Sequence, residues 1–172
     1  ITREDWEKCL INPSKIKVVE VVVKAIYANK DRYRFVTLKT GVPWWLIGGI
    51  HFREASFRFD SCLHNGDPLN HVTTHVPRGR GPFKDWEASA IDVMKLQHAE
   101  KYDFSKIENS LNFALAYNGK GYEMRGLRSP YVWGLTNLQT PGKFVADHKF
   151  DPNAINKRPG IAAIAKMILQ EA

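Results

Sequence analysis

At 172 residues, with 44% hydrophobic and 25% charged side chains, the chain has the length and makeup of one soluble globular domain with a sizeable core. No apolar run reaches the length of a membrane span, because the stretches around Lys17 to Tyr27 and Val42 to Phe52 are broken by charge or glycine, so membrane insertion is not expected. The balance of 25 basic against 18 acidic residues gives +7, which suits an anionic polymer such as nucleic acid, an anionic membrane or a bacterial wall, and equally a plain solubilising surface.

The chain opens on Ile1 with no basic-then-apolar leader, as a processed N-terminus would. Asp5 to Leu10 predicts a short helix closed by "NPS". Lys15 to Ala28 follows; its β-branched "VVEVVV" is compatible with strand, but the length and alanine-rich end favour helix. Pro43 opens the next helix, on which Ile47, Ile50 and Glu54 share one stripe. From Phe57 to Phe83 the texture becomes rich in Gly, Pro, Asn and His, which predicts ordered loops; "NGD" marks a turn and "HVTTHV" a strand. Helices resume at Trp86 to Gln97 and from Phe104 or Ser105 to Asn118, the second ended by the glycines of "GKGY". "SPYVWGLTN" predicts one helical turn and Asn156 to Gln170 a last helix with Ile161, Ile164, Ala165 and Ile168 inward. With no repeat and no low-complexity linker, residues 1–172 read as a single domain, α+β but mainly α, with a small irregular or β lobe after Glu54. Cys9 and Cys62 fit neither a zinc ribbon nor a redox pair, leaving two buried thiols or one long-range disulfide.

The chemistry is sought first at Glu54. A carboxyl at the end of an apolar stripe is expected to be desolvated, which raises its pKa and lets it act as a general acid at a glycosidic oxygen. The plain alternative is a surface glutamate paired with Arg53 or Arg58.

"PWWLIGGIHFREASFRF" resembles the catalytic helix of the lysozyme superfamily, an apolar helix ending in Glu closely followed by Ser, with goose-type lysozymes and lytic transglycosylases as well-known branches. "ALAYNGKGY", from Ala114 to Tyr122, resembles the A-x-A-Y-N-x-G segment of the same families, in the right order. The resemblance runs over residues 42 to 165. It implies a lysozyme-like domain in which Glu54 is the general acid, Ser56 takes the family's serine after an extra Ala55, and Tyr117 and Asn118 face the acid across a cleft. The G-L-M-Q segment of the transglycosylases is missing, and Lys120 stands where those families have glycine.

A second carboxylate to position water or stabilise the oxocarbenium ion is sought in Asp67 or Asp60. Asp67 in "NGDPL" is also a natural turn former. Sugar-binding candidates are Ser56, His64, Asn65, Tyr117, Asn118, Tyr122, Tyr131, Trp133, Thr136 and Asn137, with core packing the competing role for Tyr131 and Trp133.

Two rivals come from other classes. His51, His64, His71 and His75 crowd together, but "HVTTH" lacks the helix and internal glutamate of a zinc hydrolase motif, so no metal or other cofactor is expected. "RGRGPFK", with Arg78, Arg80 and Lys84, has charge for phosphates or an anionic wall, yet nothing resembles a nucleic-acid-binding motif, so nucleic acid is not expected as a partner. The resemblance thus implies an exported, monomeric muramidase acting on peptidoglycan glycan strands, with a lytic transglycosylase or a non-catalytic wall- or nucleic-acid-binding domain as alternatives.

Overall fold

The computed structural model describes residues 1–170. Eight α-helices, three short 3-10 helices and one two-stranded antiparallel sheet make up the regular structure of those residues, an α+β protein that is mainly α. None of the helices is long and apolar enough to cross a membrane. Packing divides the chain into two compact units, one joining Ile1–Ala25 to the segment from Ser105 onward, the other Ile26–Phe104.

In the first unit, α1 (Arg3–Lys8) starts with a reciprocal capping box, Thr2 Oγ1 accepting from the Asp5 amide while the Asp5 carboxylate accepts from the Thr2 amide. Trp6 is its buried residue. The leading part of α2 (Ile16–Ala28) belongs here and buries Val19, Val22 and Val23. α6 (Ile107–Asn118) buries Leu111, Phe113 and Ala114 and stops at Gly119, whose φ of 102° suits only glycine. α7 (Pro130–Trp133) starts on a proline behind the Ser129 cap, and α8 (Ile161–Gln170) is buried without interruption from Ile161 to Ile168. The two meet at a glycine pair: Gly160 N–H donates to Gly134 O at 2.9 Å, and a Cβ on Gly160 would lie 2.4 Å from Val132 O. The sheet lies here as well. β1 (Lys143–Ala146) pairs with β2 (Lys149–Asp151), with Phe144 opposite Phe150 and Tyr122 Oη accepting from the Phe144 amide.

In the second unit, α3 (Lys30–Thr40) packs on both α4 (Trp44–Ala55) and α5 (Trp86–Leu96). α4 is buried continuously from Trp45 to His51. Gly48 permits this: a Cβ there would sit 2.7 Å from Ile26 Cγ2 and 3.0 Å from the Tyr33 ring, so a side chain would wedge the helices apart. α5 is capped by Asp85, whose carboxylate accepts from the Ala88 amide at 2.8 Å.

The structure departs from the sequence reading at several points. α3 was not legible in the sequence. The "HVTTHV" stretch forms no strand, and the irregular segment carries only the isolated bridge Ser61–Pro68, whereas the strands lie at 143–151. The last helix starts at Ile161 rather than Asn156, because Asn156 turns its Oδ1 back onto the Arg158 amide and Gly160 must stay clear for the close approach to Gly134. Cys9 and Cys62 are both buried free thiols.

Candidate functional site

Glu54 stands in the last turn of α4, after the run of buried residues has ended. Ile47 and Ile50, on the same stripe, have no exposed surface, but Glu54 itself is exposed. The expected desolvation of Glu54 in the free protein is therefore corrected: the stripe leaves the core one turn before the carboxylate. Glu54 and Ala55 line a pocket of about 150 Å³ whose other wall is Cys62, Leu63, Asn65 and Gly66. The chain reverses between these walls with two consecutive left-handed, non-glycine residues, Ser56 (φ 49°) and Phe57 (φ 67°). Such residues carry strain that the surroundings must hold in place. Ser56 is exposed, and its amide closes α4 by donating to Phe52 O.

His51 supplies much of that hold. Its ring has no exposed surface; Nε2–H donates to Arg58 O at 2.5 Å and Nδ1 accepts from the Tyr33 hydroxyl at 2.8 Å. The carbonyl can only accept, which assigns the tautomer. Phe59 and Trp86 flank the ring at 4.5 Å, and burial pushes its pKa down to about 4, so it is neutral near pH 7. The strained turn after Glu54 is thereby tied to the middle of α4.

The pocket's other wall is folded by side chains. Asp67, only 8% exposed, accepts from the Thr74 and His75 amides with Oδ2, at 2.9 and 3.1 Å, and from His75 Nδ1 with Oδ1 at 2.6 Å. The His75 amide and ring, with the Thr74 amide, hold its carboxyl below the usual range. Both oxygens of this candidate second carboxylate are thus engaged in holding its own loop. Asp60 is exposed and forks onto Arg58 through Nε at 3.1 Å and Nη2 at 3.3 Å. Asn65, on the pocket wall, donates to His75 O and accepts from the Asp67 amide.

His64 is placed differently from a sugar-binding residue. Its side chain has no exposed area, stacks on Phe83 with ring centroids 5.3 Å apart, and donates from Nε2 to Asp92 Oδ2 at 2.7 Å. Burial lowers its pKa, with Asp92 opposing, so the ring contributes from behind the wall as a neutral group. Asp92 and Arg80 were not singled out from the sequence for this role; Arg80 grips Asp92 at 3.0 and 2.5 Å. The signal was a lone Asp on α5 and one arginine of a basic loop, which no spacing rule connects.

The remaining candidates lie in the other unit. Tyr117 is half-buried and Asn118, the last residue of α6, is exposed. Tyr122, Tyr131, Trp133 and Thr136 are buried and serve the core of that unit. Asn137 is exposed but occupied, accepting from the Leu10 amide and donating to Lys8 O. Of the candidates, the structure therefore gathers Glu54 and Asn65 around one pocket and buries His64 and Asp67 behind its wall. Among the described residues no three of His, Cys, Asp and Glu gather as a metal site, and the crowded histidines His51, His64 and His75 each take a different partner.

Comparison of the chain with protein families, with curated proteins and with solved structures finds no match.

Proposed function

We propose that the chain is a peptidoglycan glycoside hydrolase that cleaves the β-1,4 bond between N-acetylmuramic acid and N-acetylglucosamine, with Glu54 as general acid. The observation that carries the reading is the setting of Glu54: a carboxylate at the end of a buried helix, open to solvent at a pocket, followed by two strained residues. The resemblance of the segments around Glu54 and around Tyr117–Asn118 to the lysozyme superfamily supports it. A glycan strand over the pocket would displace water from Glu54 and supply the desolvation that the free protein lacks. The protonated carboxyl gives its proton to the departing glycosidic oxygen; water then adds to the oxocarbenium carbon and returns a proton to the Glu54 carboxylate. The +7 charge suits adsorption to an anionic wall, and the peptidoglycan substrate that the resemblance implies lies outside the cytoplasm, where the enzyme would work.

The test is mass spectrometry of muropeptides released from native and enzymatically deacetylated sacculi by wild type and Glu54→Gln. Reducing-end products from wild type alone are expected. Anhydro products would reassign the reaction to a transglycosylase, and release by both proteins, or by neither, would remove Glu54 as the acid.

A further inference from the structure

The tether behind the Glu54 pocket is built from three residues of the same unit. Leu63 and Asn65 line the pocket, and His64 between them turns the opposite way. Its imidazole is fully buried and stacked on Phe83, and its Nδ1 has no hydrogen-bond partner among the described residues. The polar fixing of the ring therefore runs through one bond, Nε2–H to Asp92 Oδ2 at 2.7 Å. Asp92 is held in turn on α5, and Arg80 grips both of its oxygens, at 3.0 and 2.5 Å. Arg80 also belongs to the loop that closes the same lobe, since its amide donates to Thr73 Oγ1 and its carbonyl accepts from the Thr73 amide. One carboxylate thus fastens the pocket wall and the loop behind it to the same helix. The wall has its own local bonds, Cys62 N–H to Asp67 O at 2.7 Å and Gly66 N–H to Cys62 O at 2.8 Å. These shape the turn without attaching it to a helix.

We propose that Asp92, acting through His64, is a positioning residue that sets the wall of the Glu54 pocket. The inference rests on the glycosidase reading for its effect on turnover, but the tether is measurable without it. Displacing a substrate-positioning wall by about 1 Å is enough to cost tenfold or more in rate.

The experiment compares Asp92→Ala with Asp92→Asn. Both lose the charge opposite Arg80, so both should lose thermal stability, Asp92→Asn the less of the two. Asparagine keeps an oxygen that accepts from His64 Nε2–H; alanine does not. Amide exchange at Cys62 and Gly66 should quicken in Asp92→Ala and stay near wild type in Asp92→Asn. Glu54-dependent release from sacculi should fall about tenfold in Asp92→Ala, mostly through the sacculus concentration needed for half-maximal rate, and recover in Asp92→Asn. Unchanged exchange in Asp92→Ala overturns the tether, as does equal impairment of the two variants in step with their melting temperatures. Faster exchange with undiminished Glu54-dependent turnover overturns the positioning role. Faster exchange in a protein whose wild type releases nothing supports the tether and sinks the glycosidase reading instead. Should Asp92→Ala not fold, His64→Ala, which leaves the Arg80–Asp92 pair in place, carries the same comparison.

Discussion

His51 makes the stability of the second unit depend on pH in a way that can be calculated. Folding holds its imidazole neutral, donating to Arg58 O and accepting from Tyr33, and burial lowers its pKa from 6.5 to about 4. The unfolded chain takes up a proton at the higher value. The contribution is therefore complete above pH 6.5, falls as the pH drops, and is exhausted near pH 4. A displacement of this size is worth about 3 kcal/mol, a large share of a domain's total stability. The perturbation is His51→Gln, which removes the titration and leaves every other ionisable group in place. Urea unfolding of both proteins between pH 7.5 and pH 4 gives the difference in stability at each pH, so the titration of other carboxylates and histidines cancels. The variant should be the less stable at pH 7.5, and the gap should narrow by about 3 kcal/mol on the way to pH 4. A gap that stays constant to within about 1 kcal/mol over that range would show that His51 is not a buried neutral imidazole, and the tie from α4 to the turn after Glu54 would go with it.

Gly48→Ala should destabilise the protein by about 1–3 kcal/mol in chemical denaturation, because overpacking against Ile26 and Tyr33 exceeds the helix-propensity gain of alanine. A net stabilisation would mean that the α3–α4 contact is looser than described. Cys9 and Cys62 should both stay unreactive to a thiol reagent in the native protein and both react after denaturation without reductant. Two thiols missing from the denatured count would reveal a disulfide instead.

Some helix ends were legible in the sequence because they are local chemistry: Pro43 before α4 and the glycine after α6 act within one turn of chain. α3 escaped notice because "KDRYRFVTLKT" carries too few apolar residues to mark a stripe, and it is held by burying Tyr33 and Val36 against its neighbours. "HVTTHV" alternates as a strand should, but the Asp67 carboxylate takes the amides of Thr74 and His75, and Thr73 Oγ1 donates to Pro77 O and accepts from the Arg80 amide. The Asp67 side chain thus claims two amides that a ladder would have used.

For the candidate site the division is sharper. The sequence by itself determined that Glu54 ends a helix with a buried stripe and that a loop rich in Gly, Pro and His follows, because 3.6-residue periodicity and turn chemistry act over short distances. Only the tertiary structure decided that the stripe leaves the core before reaching Glu54, that His64 turns inward onto Asp92, and that Asp67 is spent on its own loop. Solvent exposure and ion-pair choice depend on which residues distant in the chain are brought together, and neither periodicity nor spacing carries that information.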